Sequence, residues 1–281
     1  MTPSARAFTV AAVQMRSTED RKRNLDTADR LAARAAAQGA EVIAFPENVA
    51  ELRRAGARPR AESPSGSTAG RFSEMAVRHR AFVLAGTIAL SGEPGGKPHN
   101  ASILFDPQGT IVAIYRKMHL FDVAIPGRAE FRESAVIAPG DRPVAAATAL
   151  GTLGLSICYD LRFPELYRHL ALAGSSVLFV PSAFTAYTGR AHWHALLRAR
   201  AIENLAYVVA PAQWGRHGNG RVSYGHTCVI DPWGRVIAER ASGEGVVVAR
   251  IEPGREQRIR RELPALDHVR RGLLGRAGSR G

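Results

Sequence analysis

Gly154-Leu-Ser-Ile-Cys158-Tyr-Asp-Leu-Arg-Phe-Pro-Glu-Leu-Tyr-Arg168 carries the most informative pattern in the chain. It begins as an apolar run typical of a buried strand, becomes polar at Cys158 and takes a helical pattern from Pro164. Proline suits the first turn of a helix, because its missing N–H group would have no intrahelical partner there. The pattern therefore predicts a sharp strand-to-helix turn with Cys158 at the carboxyl end of the strand, where open α/β sheets carry their chemistry.

The thiol of Cys158 allows two interpretations. At such a turn it would lie near free backbone N–H groups, which would stabilise a thiolate and make the residue a nucleophile. A free cysteine is also often a small, inert core residue. The strand–turn–helix context favours the nucleophile.

The rest of the chain predicts one layered α/β domain, because strand patterns, hairpins and helices alternate along it. We expect two sheets with helices outside them over residues 1–263, followed by a basic C-terminal tail over 264–281. Residues 116–142 lack periodicity and are expected to form a long functional loop. The predicted strands are 8–15, 41–45, 81–90, 100–105, 110–115, 151–157, 177–180, 206–210, 226–231, 235–240 and 245–251, and the predicted helices are 21–38, 67–80, 164–173, 190–203 and 253–262.

The chain is strongly basic, with a net charge of +13, and Lys22, Lys97 and Lys117 are its only lysines. Basic proteins often bind nucleic acids or acidic ligands. Here the arginines are scattered rather than gathered with aromatic residues in one stripe, so we expect a compositional bias and no nucleic-acid partner. A lysine in a special place is then informative, because arginine differs from it in size, donor geometry and pKa.

Neither a membrane anchor nor a secretory segment is expected. No apolar run is long enough to span a bilayer, and the residues after Met1 lack the basic and apolar regions of a signal peptide. The only cysteines, Cys158 and Cys228, form neither a disulfide framework nor a metal-ligand spacing. These features predict a cytoplasmic protein without a metal site.

Glu47 and Lys117 are the candidate partners of Cys158. Glu47 follows Pro46 at the end of a predicted strand, so its carboxylate is presented there rather than on a helix face. Lys117 ends a predicted hairpin, whereas the other lysines fall in a solvated helix turn and a Gly/Pro loop. Either residue alone would more often be a surface charge. Their occurrence together with a cysteine at a strand end favours a base and an oxyanion partner for a nucleophile.

These segments resemble the nitrilase superfamily of carbon–nitrogen hydrolases over almost the whole chain. The resemblance is carried by Phe45-Pro-Glu47, by Arg116-Lys117-Met-His-Leu-Phe-Asp122 and by Ile157-Cys158-Tyr-Asp-Leu-Arg-Phe-Pro-Glu165. The order Glu, Lys, Cys matches the catalytic triad of that family. The resemblance implies a four-layer αββα sandwich, no metal, no organic cofactor and a homodimer or higher homo-oligomer.

The resemblance also implies a mechanism. Glu47 takes the thiol proton as Cys158 attacks an amide carbonyl, and the oxyanion is held by Lys117 and by the backbone N–H of Tyr159. A thioester remains after the amine leaves, and water activated by Glu47 releases the acid. Family members carry a second glutamate in the loop after the lysine, and alignment indicates Glu133 as this supporting residue.

Within the superfamily, the chain is most similar to the Nit-type branch and, in it, to the deaminated glutathione amidases. The implied substrate is a small, anionic, peptide-like 2-oxo acid, and the candidate substrate-binding residues are Phe184, Thr185, His192, Arg198 and Arg216. The residues that carry this finer similarity are Ser182-Ala-Phe184, Thr188-Gly189, Ala191-His-Trp193, Leu197 to Glu203, Gln213, Gly215-Arg-His217 and Ser223 to His226.

Three alternatives remain open from the sequence. Within the same chemistry, the chain could be an ω-amidase acting on α-ketoglutaramate or an N-carbamoyl amine hydrolase. It could instead be a papain-like hydrolase that pairs Cys158 with His192 or His226. A basic nucleic-acid-binding protein with a relict site is the third, and the intact Glu, Lys, Cys set argues against it.

Overall fold

Two β-sheets stacked face to face lie at the centre of the fold, and helices cover the outer face of each. The computed structural model describes residues 6–54, 56–124, 130–218, 220–270 and 272. Its strands are β1 (Phe8–Gln14), β2 (Val42–Ala44), β3 (Phe82–Leu84), β4 (Ile88–Leu90), β5 (His99–Phe105), β6 (Ile111–Arg116), β7 (Asp122–Ala124), β8 (Glu130–Arg132), β9 (Val144–Thr148), β10 (Gly151–Leu155), β11 (Val177–Phe179), β12 (Tyr207–Ala210), β13 (Trp214–Arg216), β14 (Val222–Tyr224), β15 (Thr227–Ile230), β16 (Val236–Arg240) and β17 (Gly245–Ile251). Its helices are α1 (Arg21–Ala36), α2 (Ser67–His79), α3 (Pro164–Leu172), α4 (Ala186–Asn204) and α5 (Pro253–Glu262).

The two large sheets share the same central plan. The first has the order β17-β1-β2-β3-β5-β4, with β6 also paired to β5, and the second has the order β16-β15-β12-β11-β10-β9. In each sheet three neighbouring strands run parallel, β1–β2–β3 in one and β10–β11–β12 in the other. Antiparallel strands flank both trios, so each sheet has a parallel centre with the carboxyl ends of its strands at one edge.

The alternation of side chains along β1 shows the layers. Val10 and Ala12 belong to the apolar cluster that includes Phe179 of the second sheet, so they fill the space between the sheets. Ala11 and Val13 belong to the other cluster, with residues of α1 and α2, on the opposite face. Because side chains alternate across a strand, β1 is buried on both faces. With α3 and α4 packed outside the second sheet, the predicted four-layer αββα sandwich is confirmed.

Several elements differ from the sequence-based prediction. The strand predicted over 81–90 is divided into β3 and β4, because Gly86 has a φ of +60° and packs against the Pro46 carbonyl. The helix predicted over 190–203 begins earlier, after Thr185, whose side chain accepts from the Thr188 N–H. The predicted loop 116–142 contains the hairpin of β7 and β8, and the short strands β9, β13 and β14 were not predicted.

The division into a domain at 1–263 and a tail at 264–281 stays a prediction, since residues 271 and 273–281 lie outside the described residues. Of the helices in the described ranges, none combines the length and the apolar character that crossing a bilayer requires.

Candidate active site

The turn around Cys158 is fixed by its backbone and by one buried carboxylate. Cys158 has a left-handed backbone, with a φ of +48°, and its N–H donates to the Pro181 carbonyl at 3.0 Å. Asp160 is fully buried; its Oδ2 accepts from the Ile157 N–H at 2.9 Å and from the Tyr115 hydroxyl at 2.7 Å. A non-glycine residue in this backbone region is strained and persists only where its surroundings hold it. The strand-to-helix turn predicted from the sequence is therefore present and braced on both sides.

Glu47 follows β2 and points into the space beside Cys158. Only 3% of the residue is exposed. Its Oε1 accepts from the Lys117 ammonium at 2.9 Å and from the Asn100 amide at 3.0 Å, and its Oε2 accepts from the Ala183 N–H at 2.9 Å. Three donors to one buried carboxylate fix its position and satisfy both oxygens.

Lys117 lies between two carboxylates. It follows β6, and its Nζ donates to Glu133 Oε2 at 2.8 Å as well as to Glu47. Glu133 also accepts from the Phe121 N–H at 2.7 Å and from the Asn100 amide at 3.1 Å. Asn100 thus donates to both carboxylates that hold the lysine, which makes one closed hydrogen-bonded set.

Lys117 and Glu47 each favour the charged form of the other. Burial alone would lower the pKa of Lys117, but Glu133 and Glu47 outweigh burial and raise it above its ordinary value. Burial would raise the pKa of Glu47, but the Lys117 ammonium, together with Arg221 and the Cys158 hydrogen bond, outweighs burial and lowers it. Both groups are therefore charged at neutral pH, although neither is exposed by more than 3%.

The Cys158 thiol is neutral in this setting, which corrects one expectation from the sequence. Burial raises its pKa, and the negative charge of Glu47, to which the thiol hydrogen-bonds, raises it further, while Lys117 acts in the opposite direction. The expected thiolate is not stabilised, because burial and Glu47 outweigh the opposing effects of Lys117 and of the Ala183 backbone N–H. The arrangement is a thiol beside an ionised carboxylate, which can take its proton.

An open cavity of about 150 Å³ lies above Glu47, Lys117 and Cys158. That volume holds on the order of ten waters, at roughly 10–15 Å³ each, so a small acyl group fits over the sulfur. Aromatic rings of Phe121, Phe131, Tyr159 and Phe184 line its walls. The basic residues that line the cavity in addition to Lys117 are Arg21, Arg53, Arg54, Arg60, Arg132, Arg162 and Arg221.

Two of the five predicted substrate-binding residues line this cavity and three do not. Phe184 and Thr185 are on its wall. Arg198 is exposed and its Nε donates to the Gly234 carbonyl at 2.9 Å, on the far side of α4. Arg216 is exposed on β13, and His192 is an exposed residue whose ring meets Arg162 at 3.2 Å. The prediction that these three residues face the substrate is therefore corrected, because none of them lines the cavity.

Several residues of the site were not predicted. Asn100 gave little signal beyond a polar amide at the start of an apolar strand. Arg162 lies over the Phe184 ring at 5.3 Å and lines the cavity. Gln213 holds the backbone of Glu47 in place, since its Nε2 donates to the Glu47 carbonyl oxygen at 3.0 Å. Each of these roles depends on contacts between distant segments.

The candidate site was compared with known proteins. The family model described as carbon–nitrogen hydrolase matches residues 9–261. A deaminated glutathione amidase of Synechocystis sp. is 43% identical over 266 residues, which cover 93% of this chain and 97% of that protein. The deaminated glutathione amidase of Mus musculus is 42% identical over 277 residues, covering 96% of this chain and 85% of the mouse protein.

A solved structure has the same fold. The crystal structure of the C. elegans NitFhit protein superposes with a TM-score of 0.87 at 36% sequence identity. The match covers 96% of this chain and 66% of the NitFhit chain, so this chain corresponds to about two thirds of that protein.

Proposed function

Because this chain belongs to the carbon–nitrogen hydrolase family, we propose that it hydrolyses deaminated glutathione to 2-oxoglutarate and cysteinylglycine through a thioester on Cys158. The observation that carries this proposal is the buried set of Glu47, Lys117 and Cys158 at the floor of an arginine-lined cavity. The names of the relatives point to the same substrate. The role of the enzyme would then be the repair of a damaged metabolite.

The first half of the reaction forms the thioester. As the Cys158 sulfur bonds to the amide carbon, its proton moves to the ionised Glu47. The carbonyl oxygen becomes an oxyanion that the Lys117 ammonium and the backbone N–H of Tyr159 stabilise. The carbon–nitrogen bond then breaks, Glu47 returns its proton to the leaving amine, and cysteinylglycine departs.

The second half consumes one water molecule. Glu47, ionised again, takes a proton from that water as its oxygen attacks the thioester carbon. The carbon–sulfur bond breaks, the proton on Glu47 returns to the Cys158 sulfur, and 2-oxoglutarate leaves. The pKa directions fit this cycle, since they favour a carboxylate able to accept a proton and a thiol able to supply one.

Glu133 and Asn100 are positioning residues in this proposal. They contact Lys117 and Glu47 but stand one contact away from the reacting sulfur. Glu133 supplies the second negative charge that keeps the lysine protonated, and Asn100 fixes the spacing of the two carboxylates. Without them the ammonium could not be held at one point of the cavity floor.

The charge of the cavity supports an anionic substrate. Deaminated glutathione carries one carboxylate on its 2-oxo acid part and another on its glycine part. The cavity arginines come from two regions: Arg53, Arg54 and Arg60 lie on the loop before α2, while Arg162 and Arg221 lie near Tyr159, Phe131 and Phe184. Each region can take one carboxylate, and arginine binds carboxylates through paired N–H groups.

The cysteine–histidine alternative finds no support in the described part of the chain, where the cavity is lined by no histidine. His226 hydrogen-bonds Glu239 instead of facing Cys158.

Cytoplasmic location and homo-oligomerisation belong to the same proposal. The two free cysteines fit a reducing compartment, and the exposed apolar residues Trp233 and Ile237 fit a covered surface.

A side-by-side assay tests the substrate assignment. Pure enzyme is given deaminated glutathione or α-ketoglutaramate, and released cysteinylglycine or ammonia is measured. We expect kcat/KM to be larger for deaminated glutathione, because only this substrate brings a second carboxylate to the arginines. A large preference for α-ketoglutaramate would make the enzyme an ω-amidase and overturn the substrate assignment while leaving the chemistry intact.

A further inference from the structure

Two histidines and one glutamate converge on the surface, away from the residues that line the active-site cavity. His194 Nε2 lies 3.0 Å from Glu239 Oε1, and His226 Nδ1 lies 2.6 Å from the same oxygen. One ligand atom from each residue lies within 4.8 Å of the other two. His194 is on α4, His226 precedes β15 and Glu239 is on β16, so three separate elements supply the cluster. We name these residues the His–His–Glu cluster.

The backbones that carry the two histidines are tied together. Trp193, fully buried beside His194, donates its indole N–H to the His226 carbonyl at 2.8 Å. The His226 N–H donates to the Ala241 carbonyl at 3.2 Å. These two hydrogen bonds hold in place the backbone segments that carry His194 and His226.

The ring of His226 is also oriented before any ligand arrives. His226 has a left-handed backbone, with a φ of +55°, and its ring stacks on Tyr224 with centroids 4.2 Å apart. Glu239 lies directly across the sheet from Cys228 in the pairing of β15 with β16. Strained backbone that packing keeps in place is often found at functional sites, and fixed donors lose little entropy on binding.

The donor set selects a class of ligand. Two imidazole nitrogens and one carboxylate oxygen match the three protein ligands of known zinc sites, which hold their ligand atoms about 2 Å from the ion. Calcium and magnesium prefer sets made of oxygen atoms. Each of the three side chains is between a quarter and a third exposed, which leaves room for a water ligand.

We propose that the His–His–Glu cluster binds a divalent transition-metal ion of the zinc class, with water as the fourth ligand. The ion would join α4 to β15 and β16 in the place where hydrogen bonds to Glu239 now join them. Because α4 begins directly after Thr185, which lines the cavity and pairs with Ser223 of β14, the ion would secure the wall of the active site. Its expected effect is on stability, since no ligand of the cluster lines the cavity.

Zinc titration of tag-free protein tests the proposal. The titration uses the Cys158→Ala variant, so that the active-site thiol cannot bind the metal, and a fluorescent zinc chelator as competitor. We expect one equivalent of Zn²⁺ to bind and to raise the melting temperature. Adding His194→Ala or Glu239→Gln should weaken zinc binding at least about tenfold. Mutation of a residue that only supports a metal ligand already lowers metal affinity about 10- to 100-fold.

A matched control is His268→Ala, which removes an exposed histidine outside the cluster and should leave binding unchanged. Circular dichroism establishes that each variant is folded, and Glu239→Gln keeps the shape of the side chain it replaces. Absence of stoichiometric zinc binding to the Cys158→Ala protein would overturn the proposal. Equal affinity in folded His194→Ala and His268→Ala variants would overturn it as well.

Discussion

Glu47 is the residue on which the proposed chemistry depends most. It is fully enclosed, ionised and hydrogen-bonded to the thiol. We expect Glu47→Gln, which keeps the shape and removes the base, to lower kcat by about 10²–10⁴-fold. The measurement is steady-state release of cysteinylglycine, with the melting temperature as a check on folding.

Glu51→Gln is the matched control for that variant. Glu51 lines the same cavity but pairs with Arg21 at 3.5 Å instead of with the lysine. Its replacement should change kcat little. Comparable losses in both variants would show that the cavity needs negative charge in general rather than a base at position 47.

The low pKa of Glu47 predicts the shape of the pH profile. Because Lys117, helped by Arg221 and the Cys158 hydrogen bond, outweighs burial, the carboxylate stays ionised below its ordinary pKa of 4.5. The rate constant kcat/KM should therefore stay flat from neutral pH down to 4.5 and fall only below it. In Lys117→Met burial is opposed only by the weaker effects of Arg221 and the Cys158 hydrogen bond, so the acid limb of the residual activity should move to higher pH. An acid limb at the same pH in both proteins would contradict this assignment.

Asn100 tests whether positioning matters apart from charge. Asn100→Ala removes the amide that donates to Glu47 at 3.0 Å and to Glu133 at 3.1 Å, but it leaves all charges in place. We expect kcat to fall about 10²-fold, since small misplacements of reacting groups cost that much. KM should change little, because the amide acts through the two carboxylates. A raised KM with an unchanged kcat would instead assign Asn100 to substrate binding.

The sequence could indicate Glu47, Lys117 and Cys158 because each ends an apolar element with a reactive side chain. Asn100 could not be recognised in this way, since its role comes from two carboxylates that are 53 and 33 positions away in the chain. The prediction that Arg198 and Arg216 contact the substrate was wrong for a related reason. Arg198 and Arg216 fit an anionic ligand as well as Arg162 does, and only the folded structure decides which of them lines the cavity.

Among whole helices and strands, the break between β3 and β4 is tied to the active site. A Cβ atom at Gly86 would lie 2.1 Å from the Pro46 carbonyl oxygen, directly before Glu47. We expect Gly86→Ala to lower both stability and kcat. Gly39→Ala is the matched control, because Gly39 also has a positive φ but nothing within 4 Å of its Cβ position.

The two glycine variants separate strain from crowding. Gly39→Ala should lower the free energy of unfolding by about 1–2 kcal/mol, the cost of a left-handed backbone in a residue with a Cβ atom, and should leave kcat unchanged. Gly86→Ala should cost more in chemical denaturation and should also lose activity. Equal costs in the two variants would mean that the contact with Pro46 does not hold Glu47 in place.

Whether a segment forms a helix or a strand could be predicted from the local sequence pattern, whereas the residues at which it begins and ends could not. The strand-to-helix turn at Cys158 could be predicted because an apolar run, a polar break and a proline occur within a few residues. The early start of α4 depends on Thr185 capping the Thr188 N–H, and the sequence of this helix gives only a weak amphipathic signal. The strands β13 and β14 have three residues each, too few for a period to emerge.

For the molecule as a whole, the four-layer architecture could be expected because the family resemblance spans nearly the entire chain. Trp233 is 58% exposed and Ile237 43% exposed, and the turn that carries Trp233 packs against Ile202, itself 46% exposed. We propose that this apolar patch is covered in a homo-oligomer.

Sedimentation velocity tests that assembly. Trp233→Glu places a charge in the centre of the patch and should shift the protein toward monomer. The control Val77→Glu replaces an apolar residue that is 50% exposed on α2, outside the patch, and should leave the sedimentation coefficient unchanged. A shift in the control alone would assign the interface to α2.

Product partitioning in the presence of methanol tests the shared thioester intermediate. Deaminated glutathione and α-ketoglutaramate would both leave the same 2-oxoglutaryl thioester on Cys158, which water or methanol then attacks. We expect an identical ratio of methyl ester to 2-oxoglutarate from the two amides at each methanol concentration. Ratios that differ between the two amides would contradict this mechanism, because the nucleophile would then be attacking each amide directly with no shared intermediate on Cys158.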